Sequence, residues 1–136
     1  AKLQVMPELK IRPAAEVIVD QGGNMLDCIF CKIVKKQIPS KNIYEDDELI
    51  AFHDIHPIAP VHFMIVPKAH VDSLTHCTVV HQALLGKILL LAPKLAKEQG
   101  LENGFRTMIN TGHGGGQEVF HLHVHVFGGD ALLPRT

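Results

Sequence analysis

At 136 residues the chain can bury one core and is too short for two ordinary domains. Hydrophobic residues at 46% and charged residues at 20% describe a folded protein, and a formal net charge of −1 supplies no basic field for long nucleic acid. No apolar run is expected to reach the ~20 residues of a membrane span. No basic-then-apolar leader is visible and three cysteines make no disulfide framework, so a cytoplasmic protein is expected.

Residues 1–24 carry an apolar alternation around Val17-Ile18-Val19 and end in the turn cluster Asp20-Gln21-Gly22-Gly23-Asn24. They read as an N-terminal extension, with the folded domain expected over 25–136. Ile29, Phe30, Ile33 and Val34 recur at helical spacing and predict a short helix that stops by Pro39-Ser40. Ile43-Tyr44-Glu45 and Leu49-Ile50-Ala51-Phe52 read as strands joined by the acidic turn Asp46-Asp47-Glu48. His62 to Val66 is a further strand, ended by Pro67. Residues 79–99 predict the longest helix, burying Leu84, Leu85, Ile88, Leu89, Leu91, Ala92, Leu95 and Ala96, with Leu91 off the main stripe. Pro93 should kink it and Gly100 lies past its end. Phe105–Asn110 and His121–Phe127 read as the last strands, around the loop Gly112-His113-Gly114-Gly115-Gly116. This order predicts an α+β domain with an antiparallel sheet.

Ten histidines are scattered along the chain until they concentrate at 121, 123 and 125. Alternate residues of a strand share a face, so His121, His123 and His125 should line up while Leu122, Val124 and Val126 enter the core. No core accommodates three titratable groups in a row for packing alone, which leaves a metal site or a catalytic row. Imidazole is partly neutral and nucleophilic at pH 7, and when protonated it donates to phosphate oxygens or a leaving group. The glycine-rich turn before the row can present backbone N–H groups to an anion.

The segment His121-Leu122-His123-Val124-His125-Val126-Phe127 resembles the defining motif of the histidine-triad (HIT) superfamily. Ile29-Phe30-x-x-Ile33, Phe52-His53-Asp54-Ile55, Pro60-Val61-His62-Phe63, Ile65-Val66-Pro67-Lys68, Ile109-Asn110 and Gly115-Gly116-Gln117 match its nucleotide-binding Hint branch across about 25–130. The resemblance implies a HIT-like fold of about five antiparallel strands with a short and a long helix, the sheet continuing across a homodimer. It also implies a purine nucleotide (AMP-type) substrate and hydrolysis of adenosine 5′-phosphoramidates or related nucleoside monophosphate adducts. His123 is similar to the nucleophile that forms a nucleotidyl-histidine intermediate, His125 to the residue that assists the leaving group, and His121 to the one that orients its neighbours. Asp54 resembles the carboxylate that accepts the ribose hydroxyls. Ile29, Phe30, Ile33, Phe52, His53, Ile55 and His62 resemble the nucleotide pocket, and Asn110, Gly116, Gln117 and position 118 the phosphate-contacting set.

Two features depart from that pattern. Many eukaryotic members carry Ser where this chain has Glu118, and a carboxylate facing phosphate is repulsive unless it points away or recognises an amine. The tail Asp130–Thr136 lacks the family's tryptophan-containing end. Cys28-x-x-Cys31 is half of a tetrahedral zinc site. Other HIT branches complete it with the residues matching His62 and His121, so a structural zinc is expected there and no cofactor is expected for catalysis. The alternatives are a dinucleoside polyphosphate hydrolase and a non-catalytic nucleotide-binding regulator. The related nucleotidyl transferases replace the third histidine by Gln, which His125 argues against.

Overall fold

Leu49-Ile50-Ala51-Phe52 is apolar at every position because both faces of its strand are covered. The computed structural model describes residues 27–129 and 133–134, so the expected extension over 1–24 lies outside the described residues. Helix α1 (Ile29–Val34) is followed by strands β1 (Asn42–Glu45), β2 (Leu49–His53) and β3 (Val61–Pro67). Then come helix α2 (Gln82–Glu98) and strands β4 (Arg106–Met108) and β5 (Val124–Gly128). All pairings are antiparallel, in the order β1-β2-β3-β5-β4, so the fold is α+β.

Strand alternation divides the core in two. Leu49, Ala51, Phe63, Ile65, Val124 and Val126 meet α2 on one face of the sheet. Ile50, Phe52, Met64 and Val66 meet Cys28, Phe30, Cys31 and Ile33 of the α1 segment on the other. At about 25 cal/mol per Å² of apolar surface, each of the large buried side chains contributes on the order of 2 kcal/mol, before chain entropy is set against it.

The long helix differs from expectation at both ends of its logic. Its first turn is a separate 3-10 turn, Val79–His81, closed by a capping box in which Thr78 and His81 exchange side-chain and backbone bonds. The buried stripe of α2 is Ile88, Leu91, Ala92, Leu95 and Ala96, so Leu91 belongs to the core, whereas Leu89 and Leu90 face out. The spacing i, i+3, i+4, i+7, i+8 from Ile88 sets that phase. Pro93 lies within the helix on its exposed side. Residues Val79–Glu98 are long and apolar enough to cross a membrane by length and composition, contrary to the expectation that no segment would be. The buried stripe packs on the sheet, which identifies this as the core helix.

The last two strands are shorter than expected. β4 keeps only Arg106–Met108, the residues that β5 pairs. β5 begins at Val124, opposite Ile65, and no ladder extends to His121 or His123. Those two residues lie in an extended lead-in held by the bond from Leu122 N–H to Val71 O at 2.7 Å.

Candidate active site and metal-binding cluster

The alternation expected of the histidine row survives its shortened strand. Leu122, Val124 and Val126 are buried, with Val124 and Val126 on the α2 side, while His125 pairs with Met64 on the α1 face. His121 is fully buried, His123 nearly so, and His125 half-buried.

Hydrogen bonds assign the proton on each ring, because a carbonyl or carboxylate can only accept. His123 Nδ1–H donates to His121 O at 2.7 Å, which leaves Nε2 as its lone-pair nitrogen. Burial lowers the His123 pKa and favours the neutral, nucleophilic form. Ile58 N–H donates to His62 Nδ1 at 3.2 Å, and His62 Nε2 stands 2.9 Å from His125 Nδ1. The backbone donor therefore puts the proton of neutral His62 on Nε2, where it points at His125 Nδ1. Burial lowers the His62 pKa against the opposing Asp54, and burial takes His125 to about 2, with His123 and His62 pushing the same way. Asp54 Oδ1 accepts His56 N–H at 2.8 Å, and its Oδ2 lies 3.5 Å from His62 Nε2 and 3.9 Å from His125 Nδ1.

The residues expected to hold a base divide by exposure. Phe30, Ile33 and Phe52 are buried together, and the Phe30 ring meets Phe52 at 5.6 Å and His123 at 5.0 Å, both edge-on. His53 is partly exposed, and Ile29 and Ile55 are exposed. Phe30, Phe52, His62, His123 and His125 thus come together, with Asp54 at the His62–His125 contact.

In the loop before the row, Asn110 Nδ2 donates to Gly115 O at 2.8 Å. Gly116 has φ 80°, a left-handed value that suits glycine, and its N–H bonds to His113 O. Gln117 is engaged within the loop. Its side chain receives Gly112 N–H and donates to Asp72 O and Val119 O, while its own N–H reaches Gly112 O. Each N–H of Gln117 has an acceptor within the fold, so the residue braces the loop. Glu118 is exposed at the end of the same loop.

A second cluster lies at the other end of the row. Cys28, Cys31, His70 and His121 bring one ligand atom each within 4.8 Å of one another. His121 Nε2–H donates to Pro67 O at 2.7 Å, so Nδ1 carries the lone pair, 3.3 Å from Cys28 Sγ and 3.5 Å from Cys31 Sγ. His70 Nε2 lies 2.9 Å from Asp72 Oδ1, and Nδ1 faces Cys31 Sγ at 3.2 Å. Burial holds the His121 pKa at about 4, which keeps that ring neutral. Outer nitrogens anchored and inner lone pairs converging is the arrangement a tetrahedral metal requires.

The fourth member of this set is His70, and His62 is excluded by register. β3 and β5 pair His62 with Phe127 and Ile65 with Val124, so the chain just past Pro67 runs beside His121. At about 3.3 Å per residue, His62 stands roughly 20 Å up the sheet. The sequence does contain a signal for His70: it follows Pro67 closely and has Asp72 two residues on as a carboxylate partner. The backbone N–H of Ile58 had no signal at all, since side-chain patterns do not report it.

Asp54, His62 and His125 also converge within 4.8 Å. A metal on His62 Nε2 would force its proton to Nδ1, against the Ile58 N–H already pointing there. That set is a hydrogen-bond chain.

Sheet, long helix and histidine row define an α+β domain with three imidazoles brought together along its last segment. A family model for the HIT domain matches residues 35–132. Protein HitA of Neisseria gonorrhoeae is 57% identical over 104 residues, covering 76% of this chain and 97% of that protein. The purine nucleoside phosphoramidase of Escherichia coli K12 is 40% identical over 109 residues, 79% of this chain and 92% of that enzyme. The crystal structure of a HIT family hydrolase from Legionella pneumophila matches with TM-score 0.75 and 43% identity, covering 78% of this chain and 96% of the other. A Zn-bound histidine triad family protein from Mycobacterium smegmatis matches with TM-score 0.67 and 33% identity, covering 76% of each chain. The chain belongs to the HIT domain family.

Proposed function

We propose that this protein is a nucleotide-binding hydrolase that cleaves adenosine 5′-phosphoramidates or related nucleoside monophosphate adducts through a nucleotidyl-His123 intermediate. The observation that carries the reading is the His123 ring, tied by Nδ1–H to the His121 carbonyl with Nε2 as its lone-pair nitrogen, 5.0 Å between ring centres from His125. Similarity to the Escherichia coli purine nucleoside phosphoramidase supports the substrate class.

His123 Nε2 attacks the phosphorus, an N–P bond forms, and the bond to the leaving amine breaks. The amine departs with that electron pair and takes a proton from the His62–His125 pair. Anionic phosphate oxygens beside His125 oppose the effect of burial and favour proton uptake by the pair when substrate binds. Water then attacks the phosphorus, returns its proton to the pair, and His123 leaves with the N–P electrons. Asp54 accepts the ribose hydroxyls, and Phe30, Ile33 and Phe52 form the inner wall of the base pocket, with Ile29 and Ile55 at its rim. The 109–118 loop meets the phosphate with the backbone and side chain of Asn110 and the backbone of Gly116.

Cys28, Cys31, His70 and His121 would hold a structural zinc. Bound there, the metal supplies a cross-link between the α1 segment, the chain after β3 and the lead-in to β5, and no step of hydrolysis. We also propose a homodimer. An open groove of about 500 Å³ runs along α2 between Ala83, Gly86, Lys87, Leu90, Leu91 and Lys94. Leu89 and Leu90 stay exposed beside it, an apolar surplus that a second copy would cover. Sedimentation of the wild type at the monomer mass of 15.0 kDa would remove the dimer.

Release of AMP from an adenosine phosphoramidate tests the enzyme. In His123→Ala turnover should fall by about 10³-fold or more while AMP still binds, because the nucleophile acts only in the chemical step. Retention of a tenth of wild-type turnover would remove His123 as the nucleophile.

A further inference from the structure

The double glycine after the histidine row plays no part in the reaction described above, yet a side chain at Gly129 would meet a wall. A Cβ built there lies 2.5 Å from Pro60 Cγ, 2.6 Å from Cδ and 3.0 Å from Cβ. A proline ring cannot swing aside like a flexible chain end, so any larger residue at 129 displaces the backbone at 60. Continuing the β3–β5 register from Val61 and Gly128 sets Pro60 opposite Gly129. The contact therefore closes the loop that runs from β2 back into β3.

That loop is short and tied at both ends. Asp54 N–H bonds to His62 O at 3.0 Å, and Asp54 Oδ1 takes His56 N–H. Ile58, two residues before Pro60, directs its N–H at His62 Nδ1. From that donor the proton positions follow in sequence. His62 carries its proton on Nε2 and gives it to His125 Nδ1 at 2.9 Å, so neutral His125 carries its own on Nε2. A displaced loop would free His62 to take either tautomer, and His125 with it.

We propose that Gly129 is a positioning residue: the Pro60 ring packed over it seats the Ile58 amide, and that amide sets which nitrogen of His62, and hence of His125, bears the proton. The inference rests on the reading of His125 as the proton donor to the leaving group. It gives the glycine a role that loop packing alone would not, because its effect reaches a proton two histidines away.

Nitrogen-15 long-range NMR of the histidine rings at pH 7.5 reads the tautomers without substrate. Wild type should show His125 as the Nε2–H form, and Gly129→Ala should show a mixture with Nδ1–H. Ile58→Pro removes the amide hydrogen without touching the glycine and should scramble His125 in the same way. Turnover in both variants should fall by about tenfold or more, the scale of a misplaced general acid. Pro60→Ala in the Gly129→Ala background removes the obstructing ring, so the double variant should recover both the fold and the His125 tautomer relative to Gly129→Ala alone. An unchanged His125 tautomer in Ile58→Pro, or a double variant no better than Gly129→Ala, would overturn the proposal. Failure of the hydrolase reading would instead appear as activity surviving in His123→Ala, with the tautomer results untouched.

Discussion

The two imidazole clusters of this protein lie on the same face of one sheet, four residues apart along its last segment, yet their hydrogen bonds run differently. Around Cys28, Cys31, His70 and His121 the outer nitrogens are tied to Pro67 O and Asp72, and the inner lone pairs converge. Along Ile58, His62 and His125, donors and acceptors alternate head to tail. Convergent lone pairs suit a cation, whereas an alternating chain suits a proton. Histidine by itself does not separate the two clusters, since it serves both. The partner of the far nitrogen does.

Exchanging damage between the clusters gives the largest expected effect. His62→Ala should lower turnover by about 10²-fold, the usual scale of general acid–base assistance, and leave metal content unchanged. His70→Ala should do the reverse. Bound zinc should fall to background and Tm by about 5 °C or more, because losing a structural metal removes folding energy directly, while turnover drops less than in His62→Ala. Elemental analysis, thermal melts and AMP release read the three quantities. Metal lost from His62→Ala, or kept in His70→Ala, would erase the distinction between the clusters.

Much of this contrast was legible before any coordinates. Strand alternation put His123 and His125 opposite Val124 and Val126, and the helical spacing of Phe30 and Ile33 put both on the buried side of α1. Which histidine joins the cysteine pair was not legible, because Cys28-x-x-Cys31 names two positions and says nothing of which histidine approaches them. Antiparallel register decides that, and it selects His70. The partners of Gln117 escape the sequence for a related reason. An amide is satisfied by whatever the folded loop brings near it, and here the loop brings Gly112, Asp72 and Val119. Leu89, expected inside, lies outside because α2 carries more leucines than one stripe needs, and the sheet takes Leu91 instead.

Acid should separate the clusters by a smaller but more general effect. His62, His121, His123 and His125 all have pKa values below the usual histidine value of 6.5, with burial as the largest cause; His121 lies at about 4 and His125 at about 2. Unfolded, each would titrate near 6.5, so below that pH the unfolded chain binds more protons than the native one. Stability from these rings is therefore complete above about pH 6.5 and is lost as pH falls toward the folded values. Each buried neutral ring contributes up to about 1.4 kcal/mol per pH unit across that window. The paired carboxylates, Asp46 and Glu45, have lowered pKa values and add their own loss only in the carboxylate range below it. Zinc changes the outcome for one cluster alone. A metal held by Cys28, Cys31, His70 and His121 adds stability at neutral pH but needs deprotonated thiols and neutral imidazoles, so the loaded protein loses that added stability as pH falls and metal is released. His62 and His125 gain no such addition. Melts at half-unit steps from pH 7.5 to 4.5, with and without zinc, should show a falling Tm in both samples, with a higher starting Tm and a steeper fall in the loaded one. Superimposable curves would mean that the metal does not occupy the cluster containing His121.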